Sequence, residues 1–296
     1  MPHRHRHPFL EVVKLIDGLS LAAVRTLISR GPGAARKVVG GTLATVWPKP
    51  PPPVMDFWDI VRAFPVAENL VIDAGSWQDG CTAPLERFLT AQLVRHFRPK
   101  SIVEVGTYRG TTTRLLLDNM PPGARIYTID LPLETKAATV AAASDERLIE
   151  HRVVGVEYLG HARAQEVTQI LGNTFEPSTW QSVPEGIEFA FIDASHSYEA
   201  VRNDTERLWP KLSPGAIVLW HDYSETDSPE RGVGKYLRER MTREPDLFVC
   251  LGTDLACRIP QTLLRSGAAR VSGWYPAGDY ARRRPLGPLP WQAQPR

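Results

Sequence analysis

Two groups of polar residues stand at the ends of apolar runs, where side chains with chemistry to do can gather. In IEFAFIDASHSYEA an apolar run ends on Asp193, with His196 three residues on, and in PGAIVLWHDY a second ends on His221 and Asp222. Imidazole has an unperturbed pKa of about 6.5, so His196 suits removal of a proton from a bound hydroxyl near neutrality. Upstream, SIVEVGTYRGTTTRLL carries Glu104 just inside the end of a run, then Gly106 and Gly110. Glycines there let the backbone take positive φ and come close to a ligand. The next run, ARIYTID, ends on Asp130, at about the distance expected for an acid that takes ribose hydroxyls. Together these residues indicate a ribose-bearing cofactor beside acids and imidazoles that handle a proton.

Such residues work only if the elements bring them to one edge. Helix-like and strand-like segments alternate from Ala83 onward, the pattern of a parallel sheet with crossover helices. The strands expected are Ser101 to Val105, Arg125 to Ile129, Val167 to Leu171, Ile187 to Ile192, Ala216 to Trp220, Leu247 to Leu251 and Leu255 to Ile259. The last two, separated by Gly252, Thr253 and Asp254, read as an antiparallel hairpin. Helices are expected from Ala83 to Phe97 and from Tyr198 to Leu212. The fold class is α/β, Rossmann-like and doubly wound, with a mostly parallel seven-stranded sheet and an N-terminal helical extension. Ligands of such sheets bind outside the carboxyl ends of the strands, where every polar residue named above falls.

Each of these residues also has a plain structural role open to it. Gly106 and Gly110 can serve a tight turn, Glu104 can pair with an arginine, and Asp130 can cap a helix. A dinucleotide-binding loop would normally read G-x-G-x-x-G and seat a pyrophosphate on the helix N-terminus. Here the loop is G-T-Y-R-G, with bulky Tyr108 and Arg109 inside it, which disfavours a phosphate cradle.

EVGTYRG followed by YTID resembles the first two motifs of class I S-adenosylmethionine (SAM) dependent methyltransferases. The resemblance implies that Glu104, Gly106, Thr107, Tyr108, Gly110 and Thr111 lie along the cofactor, and that Asp130 takes its ribose. Gly172-Asn173-Thr174 matches the third motif loosely, with an amide where an acid is frequent, and puts Asn173 and Thr174 near the adenine. The stretch from Asp193 to Tyr223 is similar to small-molecule O-methyltransferases of the macrocin and catechol types, which carry an IDG-x-HSY motif. In their metal-dependent members, the matching positions imply Asp193, His221 and Asp222 as ligands of Mg²⁺ or Mn²⁺, with Asp193 also beside the cofactor. Catalysis would then fall to His196, Asp193 and His221. This chain has Asp193-Ala194-Ser195 where many relatives have Asp-Gly-Asp, and His221 where an acid is frequent. The resemblance covers about Ala83 to Pro260. It implies an enzyme that methylates a hydroxyl of a small molecule, a sugar or a secondary metabolite. Two alternatives stay open: an N- or C-methyltransferase of the same fold, and a non-catalytic SAM-fold module for binding or assembly. Tyr198, Trp180 and Tyr223 are candidate walls of the acceptor pocket.

Composition bounds the rest. A formal net charge of +2 over 296 residues lacks the polybasic balance of a nucleic-acid binder. The positive charge collects in the ends: Arg4, Arg6, Lys14, Arg25, Arg30, Arg36, Lys37 and Lys49 face only Glu11 and Asp17. The domains expected are a basic extension over residues 1–54 with short helices and a proline-rich linker, a catalytic domain over 55–262, and an irregular basic tail over 263–296. The extension is a candidate for homo-oligomer contacts. Cys81, Cys250 and Cys257 have neither a disulfide framework nor zinc spacing, which suits a reducing cytoplasm. Glu11, Lys14, Asp17 and Arg25 interrupt the apolar stretch near the start, so no membrane span is expected there.

Overall fold

A computed structural model describes residues 52–73, 80–132, 134, 153–223 and 232–264. The expected N-terminal helices and basic C-terminal tail lie outside the described residues. In chain order the elements are β1 (Val54–Asp56), α1 (Phe57–Ala63), α2 (Pro84–Phe97), β2 (Ser101–Val105), α3 (Thr111–Asn119), β3 (Arg125–Asp130) and α4 (Val156–Leu159). There follow β4 (Val167–Leu171), β5 (Ile187–Ile192), α5 (Tyr198–Leu208), β6 (Leu212–Trp220), α6 (Val233–Met241), β7 (Leu247–Leu251) and β8 (Ala256–Arg258).

The strands form one sheet in the order β1-β7-β8-β6-β5-β2-β3-β4. All neighbours pair in parallel except β8, which runs antiparallel to both β6 and β7. The expected hairpin is therefore present, with β8 seated between β6 and β7. Among the described residues the sheet has eight strands, one more than the seven expected. The extra one, β1, follows directly on a proline run and is three residues long, too short to show a period of its own. It pairs Val54 with Val249 and Asp56 with Leu251, and it straddles the boundary expected at residue 54.

The central strands read as near-continuous apolar runs because helices cover both faces. One face packs Phe57 and Ile60 of α1, Leu89 and Leu93 of α2, and Leu116 of α3 against Ile102, Phe189, Phe191 and Phe248. The other packs Val201 and Leu208 of α5 and Tyr236 and Leu237 of α6 against Val103, Val105, Val218 and Trp220. Local signals set the helix ends. Pro84 opens α2, Glu86 reaches back to the Ala83 N–H at 2.7 Å, and Arg98 closes the helix in the left-handed region. The Ser197 hydroxyl caps α5 by accepting from Ala200 N–H at 3.2 Å. This helix stops at Leu208, short of the expected Leu212, and a 3-10 turn over Trp209–Lys211 carries the chain around Pro210 into β6. Among the described residues no helix is long and apolar enough to cross a membrane.

Candidate functional site

The sheet reverses its winding at β2, with β3 and β4 on one side and β5 and β6 on the other. The loops leaving β2 and β5 diverge there and open a crevice at the carboxyl edge. A cavity of about 350 Å³ occupies it. Of the residues expected to contact a cofactor, Gly106, Thr107, Tyr108, Thr111, Asp130, Asn173, Thr174 and Asp193 line this cavity; Glu104 and Gly110 do not.

Both glycines take the positive φ expected of them. Gly106 sits at φ +101°, and a Cβ there would lie 2.0 Å from the Asp193 carbonyl oxygen, so its bareness lets the loops after β2 and β5 touch. Gly110, at φ +83°, caps α3, and a Cβ there would meet the Tyr158 ring at 2.6 Å. Glu104 is fully buried. Its Oε2 accepts from the hydroxyls of Thr113 and Thr128, both at 2.5 Å, while Oε1 has no hydrogen-bond partner. Burial pushes its pKa up to about 8 against the pull of those two hydroxyls.

Asp130, at the end of β3, fastens the wall of the cavity. Tyr108 N–H donates to its Oδ2 at 2.6 Å and Leu131 N–H to its Oδ1 at 2.7 Å. Tyr108 meets this bond with a left-handed backbone, φ 46°. Next along, Gly172 N–H donates to the Asp130 carbonyl at 2.8 Å and leads into Asn173 and Thr174. Trp180, a candidate pocket wall, instead braces this loop by donating from Nε1 to the Thr174 carbonyl at 2.7 Å. Neither Trp180, Tyr198 nor Tyr223 is among the residues lining the cavity.

At the ends of β5 and β6 stands a charged network. His196 Nε2 lies 2.7 Å from Asp222 Oδ2. His221 Nδ1 lies 3.0 Å from Asp222 Oδ2 and 3.2 Å from Asp193 Oδ1, while its Nε2 lies 3.0 Å from Glu86 Oε2. Both ring nitrogens of His221 thus face carboxylates, and only a doubly protonated ring satisfies both. Burial works against that charge, but the Asp193 charge and the bonds to Asp193, Asp222 and Glu86 prevail and raise its pKa strongly. Burial likewise opposes the ionised form of Asp222, and the bonds from His196 and His221 overcome it and depress its pKa. Asp222 adopts this position at φ 57°.

Glu86 was not singled out by sequence reasoning. It lies 135 residues before His221, and its only local signal, an acid in the first turn of a helix, reads as a cap. It is that cap, yet it also takes Asp254 N–H at 2.8 Å on its other oxygen, so three donors converge on one buried carboxylate.

Asp193, His196 and Asp222 offer ligand atoms that all lie within 4.8 Å of one another, which brings His196 beside two of the three residues expected to hold a divalent cation. The third, His221, has Nδ1 3.2 Å from Asp193 and 3.0 Å from Asp222, and Nε2 3.0 Å from Glu86. The donors fit such an ion in charge as well. Three carboxylates, those of Glu86, Asp193 and Asp222, stand against the His221 imidazolium, which leaves an excess that a dication would offset. One imidazole and two carboxylates suit Mg²⁺ less well than all-oxygen ligation would, and suit Mn²⁺ or Fe²⁺ better.

Residues 103–223 match a family model described as a methyltransferase domain. An uncharacterized protein of Sinorhizobium fredii, y4gI, is 29% identical over 157 residues, which cover 52% of this chain and 16% of that protein. The chain thus matches about a sixth of that relative's length. Among solved structures, the chain is similar to the O-methyltransferase TomG of Streptomyces achromogenes in complex with SAM, at 19% identity and a TM-score of 0.43, covering 61% of this chain and 82% of that one. It is also similar to an O-methyltransferase of Bacillus cereus in complex with SAH, at 16% identity and a TM-score of 0.44, covering 75% and 97%.

Proposed function

We propose that this chain, whose residues 103–223 carry a methyltransferase domain, transfers a methyl group from SAM to a hydroxyl of a small molecule. The observation that carries this reading is one cavity holding both a ribose-type acid, Asp130, and the group Asp193, His196 and Asp222. Asp130 stands where a ribose would be taken, and its bonds from Tyr108 and Leu131 hold its carboxylate in place at the cavity wall. Thr107, Thr111, Asn173 and Thr174 bound the same space.

SAM, when bound, supplies an electrophilic methyl group, and alignment of acceptor and methyl can contribute up to about 7–11 kcal/mol. An acceptor hydroxyl must also lose its proton. A divalent cation held by Asp193, His196 and Asp222 would supply Lewis acidity toward the acceptor oxygen. His221, which lines the same cavity, bonds both Asp193 and Asp222 and holds them in place. Where His196 takes the proton instead, Asp222 at 2.7 Å orients the ring and stabilises its charged form. Groups so suited to deprotonation support an oxygen acceptor over a nitrogen one.

The catalytic domain extends from about residue 52 to 262, with basic segments on either side and homo-oligomer contacts assigned to the first. Free Cys81, Cys250 and Cys257 support work in a reducing cytoplasm.

Calorimetry with SAH, followed by a screen of sugars, phenols and amines for SAH release with and without excess chelator, tests this reading. Binding of SAH and turnover with hydroxyl compounds are expected, with loss of turnover but not of SAH binding on chelation. Binding of NAD but not SAH would overturn it. Full turnover in chelator would remove the cation and leave His196 as the base.

A further inference from the structure

Asp204 is a buried acid that nothing above employs. It lies on α5 one turn beyond Ala200, it is 1% exposed, and both residues line the cavity. A carboxyl group taken out of water is costly unless hydrogen bonds replace the lost hydration. Asn203 Nδ2 donates to its Oδ1 at 3.1 Å and the Thr174 side chain also bonds it. A carboxylate has about four lone-pair sites, so two donors leave it able to accept more. Burial raises its pKa to about 6, against those two bonds.

Its place in the cavity indicates what it would meet. A nucleoside-type cofactor with its ribose on Asp130 must send its reacting end one way and its base the other. The reacting end belongs with Asp193, His196 and Asp222. In the other direction the wall runs from Asp130 through Gly172 and Thr174 to Asp204, by way of Gly172 N–H on the Asp130 carbonyl and the Thr174 contact. From the start of α5 at Tyr198, just after His196, to Asp204 the helix rises roughly 9 Å, so the acid stands well away from the charged network. The small side chain of Ala200 leaves room beside it, and the ring of Phe175, 46% exposed, supplies an apolar face at the same wall.

We propose that Asp204 reads the base of the cofactor, accepting a hydrogen bond from the amino group of a 6-aminopurine and so rejecting a 6-oxopurine. This rests on the reading of the cavity as a SAM site. A 6-oxopurine would set its carbonyl oxygen against the carboxylate, two acceptors with no proton between them. Loss of one hydrogen bond to a charged group corresponds to roughly tenfold to a hundredfold in affinity.

The test is calorimetry of the full chain with SAH and with S-inosylhomocysteine, in which a carbonyl replaces the purine amino group. Wild type should bind SAH at least tenfold more tightly. Asp204→Asn offers an amide that can turn either its oxygen or its NH₂ to the base, and should bring the two affinities within about threefold. Asp204→Ser, smaller and uncharged, should narrow the gap likewise and serves if the amide variant does not fold. A purely bracing role at Thr174 would lower Tm and weaken both ligands alike, leaving their ratio unchanged. Equal binding of both ligands by wild type, or an unchanged ratio in the variants, would overturn the role of Asp204 and leave the SAM reading intact. Failure of wild type to bind SAH at all would overturn both.

Discussion

The two buried glutamates show how differently one residue type behaves in this chain. Glu104 has hydroxyl partners only and an orphaned oxygen, whereas Glu86 has an imidazolium and two backbone amides. Burial raises the folded-state pKa of Glu104 to about 8, so the folded protein holds that proton more tightly than the unfolded chain. The stability this gives is present below the ordinary carboxylate range and is lost as pH rises through 8. Melting of the ligand-free protein should therefore fall in temperature between pH 5 and pH 9, and Glu104→Gln should flatten that slope. An equally steep slope in the variant would trace it to another group. Glu86 responds in the opposite direction: burial opposes its charge, but the bond and charge of His221 and the amides of Asp254 and Ala83 hold its pKa below normal. Removing one partner of a buried pair strands the other, at about 3–5 kcal/mol. Glu86→Ala should lower unfolding free energy in urea by that amount, and a loss under 1 kcal/mol would show that His221 finds other compensation.

At the level of elements, the strands were legible because burial on both faces writes them as apolar runs between glycine and proline. β2, β4, β5 and β7 begin and end where the sequence put them. β1 was not legible, since a three-residue strand after prolines has no period, and it is recruited by β7 rather than by its own sequence. The site divides the same way. Asp130, Asp193, His196, His221 and Asp222 stand at strand ends, where position alone marks them. Glu86 and Asp204 sit on helices, where acids usually face solvent. The spacing of Ala200, Val201, Asp204, Thr205 and Leu208 on one buried face of α5 was the signal available for Asp204. β1 also supplies a test of the domain boundary. Val54 and Met55 are buried in it, and each such side chain contributes about 1.5–3 kcal/mol. A chain beginning at Pro52 should melt as the full chain does, and one beginning at Phe57 several degrees lower. Equal melting of the two would show that β1 adds nothing to the sheet.

For the whole molecule, occupancy of the cavity should register as stability. Ligand at about 100 times its Kd adds about 2.7 kcal/mol to the folded state, which at this size is several degrees in Tm. A thermal scan with SAH should show that rise and one with NAD should not. The hydrogen bond that Asp254 N–H donates to Glu86 spans 168 residues. A ribosome adds about 5–20 residues per second, so during synthesis the early helix waits roughly 8–34 s for the β7–β8 turn that completes its set of partners. Until then the carboxylate at the start of α2 and the imidazole after β6 lack part of the frame that fixes them. The edge of the crevice that carries the charged network is therefore among the last parts of the nascent chain to mature. Nascent chains arrested before residue 254 should remain open to protease and gain no protection from SAH.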